Sequence, residues 1–209
     1  MRAVLGLILV WLLTSCGGSG PSTPLPITIG QYGDSVSWGM CATCTSGRID
    51  SPPVQTLNQQ SKGAFLVVDY SIPGATVREA LQYTPSISTA PEQFVLLRFG
   101  GADALLGTPA DQFEGDLQTL ISAVVSAHHI PVLTGIIWTP TPNPVVDQFD
   151  KIIRQLAINN NLAFIGLRSL PYDPVIDTSD GLHPSQDYSS RLSTLIAATL
   201  LNLTTQYGR

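Results

Sequence analysis

Charge is scarce in this sequence. Only 12% of its residues are Asp, Glu, Lys or Arg, the formal balance is −5, and the basic residues form no cluster, so no nucleic-acid partner is expected. Cysteine is nearly absent. The three present are Cys16, Cys41 and Cys44, and no second pair exists to complete a zinc site around Cys41-Ala42-Thr43-Cys44. After residue 13 no apolar run is long enough for a transmembrane helix. Neither a phosphate-binding glycine loop nor a dinucleotide fingerprint occurs, and no metal-ligand cluster stands out, so neither cofactor nor metal is expected. Internal repeats are missing too. What remains is a chain of 209 residues, 44% hydrophobic, long enough for one domain with a full core and too apolar to be disordered.

The first 25 residues read as an address and a tether. Met1-Arg2 is a short basic start and Ala3 to Leu13 an apolar run, which suits the h-region of a signal peptide over residues 1–15. Leu13-Thr14-Ser15-Cys16 resembles a bacterial lipobox, which implies cleavage before Cys16 and lipidation of it; ordinary signal cleavage near Ser15 is the alternative. Residues 16–25 then form a flexible Gly/Ser/Pro-rich link. Lipid chains would hold the following domain, residues 26–209, at a membrane surface rather than across it. The position after Cys16 carries no aspartate, which resembles lipoproteins sorted to the outer membrane, so a periplasmic, lipid-anchored location in a bacterial envelope is expected. In an exported protein Cys41 and Cys44 can stay oxidised as a disulfide; free thiols, or a redox or metal role, are the other options.

Within the domain, strand and helix signals alternate. Apolar runs at Pro26–Gly30, Phe65–Val68, Phe94–Leu97, Pro131–Ile137 and Leu162–Ile165 have strand length and suit a sheet buried on both faces. Between them come helices over Val54–Gln60, with Pro53 near the start, and Thr76–Gln82, where Thr76 and Glu79 match a capping box. Phe113, Leu117, Leu120, Ile121 and Val124 recur at helical spacing, as do Phe149, Ile152, Ile153 and Leu156. Asn159-Asn160-Asn161 ends that second helix, and a last helix covers Gln186–Leu203. The order argues for one α/β domain with helices layered around a parallel sheet.

Two stretches carry chemistry. Gln31-Tyr32-Gly33-Asp34-Ser35 follows the first strand and places a serine at its carboxyl end, where open α/β sheets bind ligands. A serine hydroxyl needs a base to take its proton. Asp180-Gly181-Leu182-His183 offers one, since an aspartate can orient an imidazole while the imidazole activates the serine. Asp173 and Asp177 are rival partners for His183. His128 and His129, at the end of the long helix, are read as serving its C-terminal dipole. Trp38 and Trp138 flank the site in sequence, as core residues or as a wall against substrate.

With Ser71-Ile72-Pro73-Gly74-Ala75-Thr76 and Phe99-Gly100-Gly101-Ala102-Asp103, these stretches resemble the four ordered blocks of the GDSL/SGNH hydrolase family, over roughly residues 26–204. The resemblance implies a three-layer α/β/α sandwich with a flavodoxin-like order of five strands. It also implies Ser35 as nucleophile, His183 as general base then acid, and Asp180 as the orienting carboxylate, its three-residue offset matching the family. The backbone N–H groups of Ser35 and Gly74 are implied as oxyanion donors. Asp34 and Asp103 are read as acceptors that hold loops. One position departs from the pattern: Ala102 stands where the family carries an asparagine whose amide is the third donor. Three outcomes follow: a slowed enzyme, an enzyme with a substitute donor, or a site turned to binding. The retained Ser35, Asp180 and His183 favour the first two. The expected function is therefore a serine ester hydrolase, most like the arylesterase, thioesterase and lysophospholipase branch. Carbohydrate O-acetyl ester hydrolysis, or an acyl- or glycan-binding lipoprotein, is the alternative.

Overall fold

Strand residues divide by parity between two buried clusters. Phe94 and Leu96 face one cluster, Val95 and Leu97 the other, and Val132 and Leu133 divide the same way. This is the period-two geometry of a strand covered on both faces. The computed structural model describes residues 25–207, so the expected signal peptide, Cys16 and most of the tether lie outside the described residues.

In chain order the elements are β1 (Ile27–Gly33), α1 (Ser35–Trp38), α2 (Pro53–Gln60), β2 (Phe65–Asp69), α3 (Val77–Ala80), α4 (Thr84–Ile87), β3 (Phe94–Arg98), α5 (Gly101–Leu105), α6 (Ala110–Ser126), β4 (Ile130–Thr134), α7 (Pro144–Asn159), β5 (Ala163–Ile165) and α8 (Gln186–Tyr207). The sheet runs β2-β1-β3-β4-β5, and every pairing is parallel. Leu57 of α2 and Tyr188, Leu192, Ile196 and Leu200 of α8 cover one face. Residues of α3, α4, α6 and α7 cover the other, where the rings of Phe113 and Phe149 stack with centroids 4.2 Å apart. Each such buried side chain contributes about 1.5–3 kcal/mol of transfer free energy. The result is the α/β/α sandwich that the alternating pattern and the resemblance imply.

Local chemistry sets the boundaries. The capping box of α3 forms, with the Thr76 side chain on the Glu79 N–H and the Glu79 carboxylate on the Thr76 N–H. The helix expected over Thr76–Gln82 breaks into one turn, a 3₁₀ stretch at Leu81–Tyr83 and the further turn α4, which begins beside Pro85 because proline lacks the N–H a continuous helix needs there. The fourth strand is shorter than Pro131–Ile137. Beyond Thr134 the Gly135 N–H reaches the Ile165 carbonyl at 2.9 Å and the Ile136 N–H turns to Asp150 Oδ1 at 2.8 Å, so the ladder ends where three-residue β5 ends.

Order 2-1-3-4-5 puts a topological switch between β1 and β3. The chain leaves β1 for one side and returns to the other, so the loops after these two strands part and leave a crevice at their carboxyl ends. Ser35 and Ala102 both line that crevice.

Candidate active site

The first part of the site is a strand-to-helix turn. Gly33 ends β1 against β3; a Cβ there would stand 2.6 Å from the Arg98 carbonyl oxygen, so no larger residue allows this approach. Asp34 caps α1, its Oδ1 accepting the Val36 N–H at 3.0 Å and its Oδ2 the Ala102 N–H at 3.3 Å. Asp34 thus ties the serine turn to α5, the loop-holding part expected of it. Burial pushes its carboxyl up, against the pull of those N–H groups, Arg98 and His183. Ser35 is the first residue of the helix, and its N–H has no partner among the described residues, as first-turn donors lack one within the helix.

The second part is the loop before α8. A bridge pairs Thr178 with Pro184, and the Ser179 N–H donates to the His183 carbonyl at 2.9 Å. Asp180 folds this loop on itself, its Oδ1 accepting the N–H groups of Leu182 at 3.0 Å and His183 at 2.7 Å. Its Oδ2 lies 2.7 Å from His183 Nδ1, and His183 Nε2 lies 3.0 Å from Ser35 Oγ. Side chains 148 positions apart in sequence therefore form one hydrogen-bonded chain.

Electrostatics assigns the protons. Burial alone would raise the Asp180 carboxyl, but the His183 N–H, the His183 ring and the Leu182 N–H outweigh it and hold the group at about 2. Near neutral pH Asp180 is a carboxylate and can only accept. Nδ1 of a neutral His183 must then carry the hydrogen, which leaves Nε2 to accept from the Ser35 hydroxyl.

The rival groups are engaged elsewhere. Asp177 is buried and pairs with Arg191, while Asp173 Oδ1 accepts the Val175 N–H at 2.8 Å. His128 and His129 close α6 through their backbones. With His128 at φ 64°, the His128 N–H reaches the Val125 carbonyl at 2.9 Å and the His129 N–H reaches Val124 at 3.1 Å, a Schellman arrangement. The His129 ring bonds the Ile87 carbonyl at 2.7 Å through Nε2. Neither tryptophan lines the crevice; Trp38 lies under the Arg48 guanidinium and Trp138 under that of Arg168.

Gly74 is the third residue of the turn Ile72-Pro73-Gly74-Ala75, closed by the Ala75 N–H on the Ile72 carbonyl at 3.0 Å. Its φ of 79° requires glycine, and its N–H has no partner among the described residues. Gly74 borders a second, shallow cleft with Ile72 and Tyr83 rather than the crevice that holds Ser35. Asp103, in the first turn of α5, is buried, with both carboxylate oxygens 3.2 Å from the Val77 nitrogen. Burial, then the charges of Asp34 and Asp116, raise it to about 6 against that donor.

The crevice is open to solvent at its mouth, and the space within and over it amounts to about 660 Å³. Val36, Phe99, Ala102, Leu105, Ile136, Ile137, Val146, Leu167 and Leu182 make its walls chiefly apolar. Two features escape sequence reasoning. One is the buried pair Gln31 and Arg98 under the site, with Arg98 Nη1 2.9 Å from Gln31 Oε1. Burial pushes the Arg98 guanidinium down to about 10, against the charges of Asp34 and Asp69. A polar residue interrupting an apolar strand at its carboxyl end was the available signal. The other is where the Cys41–Cys44 loop lies: the disulfide is the one expected, but the contact of its Ala42 N–H with Asp180, 138 residues away, carries no sequence signal.

A family model for GDSL-like lipases and acylhydrolases matches residues 32–188. The chain belongs to this family. As a GDSL-like acylhydrolase it is a carboxylic ester hydrolase, acting on small-molecule esters. Solved structures with the same fold include a lipase/acylhydrolase from Enterococcus faecalis, at 20% identity over 84% of this chain and 96% of that one, with a TM-score of 0.72. The carbohydrate acetylesterase Est24 from Sinorhizobium meliloti is 14% identical over 85% and 99%, with a TM-score of 0.73. An aryl esterase from M. smegmatis is 16% identical over 85% and 99%, at 0.72. At such identities the likeness is one of fold. No curated protein matches the chain.

Proposed function

We propose that this acylhydrolase cleaves carboxylic esters through a covalent serine intermediate, with Ser35 as nucleophile, His183 as general base and acid, and Asp180 as the carboxylate that orients His183. The observation that carries the reading is the unbroken chain from Ser35 Oγ through His183 to Asp180 at the edge of an apolar crevice. His183 Nε2 takes the hydroxyl proton as Ser35 Oγ attacks the ester carbonyl. Asp180 stabilises the imidazolium that forms. The tetrahedral adduct then collapses, His183 gives the proton to the departing alkoxide, and the alcohol leaves while the acyl group stays on Ser35 Oγ. Water, deprotonated by the same Nε2, attacks the acyl carbon; the bond to Ser35 Oγ breaks, the acid is released, and His183 returns the proton to Oγ.

For the oxyanion we assign the Ser35 N–H at the crevice and, as the family resemblance implies, the Gly74 N–H on the neighbouring cleft, both without a partner among the described residues, while the Ala102 side chain contributes no third donor. The apolar walls support an acyl or aryl group in the crevice, and so favour aryl and acyl esters, lysophospholipid-type esters included, over acetylated carbohydrate. Labelling by a fluorophosphonate, lost in Ser35→Ala, together with turnover of p-nitrophenyl esters, is the expected result. Absence of both in folded protein would mark a binding protein.

The lipid anchor is a separate proposal. It is supported by Met1-Arg2, the apolar run Ala3 to Leu13 and the lipobox-like Leu13-Thr14-Ser15-Cys16. Metabolic labelling with palmitate, lost in Cys16→Ala, is expected; an unlabelled wild-type chain refutes it.

A further inference from the structure

The Cys41–Cys44 loop begins three residues after α1 ends and reaches across to the other half of the site. Its geometry is over-determined. The disulfide closes it, the Cys44 N–H returns to the Cys41 carbonyl at 3.2 Å, and the Gly47 N–H and carbonyl bond the Cys44 carbonyl and the Cys41 N–H at 2.9 and 3.0 Å. An antiparallel bridge then pairs Met40 with Arg48, whose guanidinium is held by Asp69 at 3.0 Å.

Two groups of this loop meet the His183 loop. The Ala42 N–H points at Asp180 Oδ2, 3.4 Å away, and Thr43 Oγ1 lies 3.5 Å from the Ser179 carbonyl. Asp180 Oδ2 is the oxygen that holds His183 Nδ1. Every other donor to Asp180 among the described residues is a neighbour in its own loop. The rest of that loop is held from below, by the Thr178–Pro184 bridge and the Asp177–Arg191 pair. Contacts of this length in a free site shorten when substrate and charge arrive.

We propose that the disulfide-closed loop is a positioning element for the ester-cleaving site: it fixes the Asp180 carboxylate, and through it the His183 ring, from outside their own loop. The proposal rests on the assignment of Asp180 and His183 above. An ångström of misplacement can cost ~10²-fold in rate, and opening this small ring frees two donors rather than deleting a catalytic group, so a loss of about 10-fold is expected.

The test compares oxidised wild type, wild type reduced with dithiothreitol, Cys41→Ser/Cys44→Ser, and Thr43→Val. Dithiothreitol supplies two electrons and two protons to the disulfide and itself becomes the cyclic disulfide. Each protein is assayed on p-nitrophenyl acetate, with active sites counted by fluorophosphonate, and the downfield proton of His183 Nδ1–H is followed by NMR. Expected are a kcat about 10-fold lower at unchanged KM in the reduced and double-serine proteins, and a displaced or broadened resonance. Further dithiothreitol leaves the double-serine variant unchanged, and reoxidation restores the wild type. Thr43→Val, with its ring intact, gives a smaller loss of the same kind. Full kcat per titrated site with an unmoved resonance, in the reduced protein and in Thr43→Val, overturns the proposal. Should oxidised wild type neither label nor turn over, the hydrolase assignment fails instead, and the resonance alone decides whether the loop positions Asp180.

Discussion

Ala102→Asn restores the side-chain donor that this chain lacks, and the structure allows its effect to be sized. Residue 102 is the second residue of α5, 6% exposed, lines the crevice with Ser35, and has its N–H already committed to Asp34. One preorganised oxyanion donor is worth ~10²–10³ in kcat, about 3–4 kcal/mol of barrier. An asparagine introduced without surroundings built to hold it should recover part of this, so a rise of about 10- to 100-fold is expected, equal to roughly 1.4–2.7 kcal/mol. KM should change little, because the added bond strengthens as charge develops on the carbonyl oxygen. Asparagine costs about 0.5–0.7 kcal/mol relative to alanine in a helix, which predicts a Tm lower by roughly 1–3 °C. The assay is steady-state hydrolysis of p-nitrophenyl acetate, normalised to active sites by fluorophosphonate titration. An unchanged or lower kcat in a variant that folds and labels fully would refute the reasoning, and would mean that some other group already completes the oxyanion site.

Four further outcomes are expected. Asp180→Asn should lower kcat by ~10³–10⁴-fold while the protein stays folded, since the amide no longer fixes the tautomer of His183. With its folded value near 2, below the ordinary 3.8, Asp180 contributes stability that is present above about pH 4 and lost as pH falls toward 2; urea titrations at pH 2.5 and 5 should show this acid loss reduced in Asp180→Asn. Asp103 works in the opposite sense, because its folded value of about 6 lies above 3.8. The native state binds the extra proton between these values, so stability falls as pH rises through this window, and Asp103→Asn should flatten that slope in unfolding experiments between pH 4 and 6. Thr76→Ala removes the side-chain cap of α3 and should cost about 1 kcal/mol, seen as a Tm lower by roughly 2–4 °C with kcat nearly unchanged.

What the sequence made legible follows from which interactions are local. Buried strands appear as apolar runs, α3 announces its cap through Thr76 and Glu79, and α6 and α7 show helical periodicity, because each pattern lies within a few residues. The serine and histidine stretches were legible as ordered motifs, although the sequence says nothing of the 3.0 Å between Ser35 and His183. Features made by distant contacts were not legible. The early end of β4 depends on the length of β5 and on Asp150. The pairing of Gln31 with Arg98 depends on β1 lying beside β3. His128 and His129 invited an argument from charge, whereas the backbone turn at His128 decides their place. Asp177 was a fair rival to Asp180 until Arg191, fourteen residues on, was seen to take it.

The direction of β1 has a last consequence. Its seven residues span about 23 Å, with Ile27 at one pole of the sheet and Ser35 just past the other. Leu25 therefore stands at the pole of the sheet remote from the Ser35 hydroxyl.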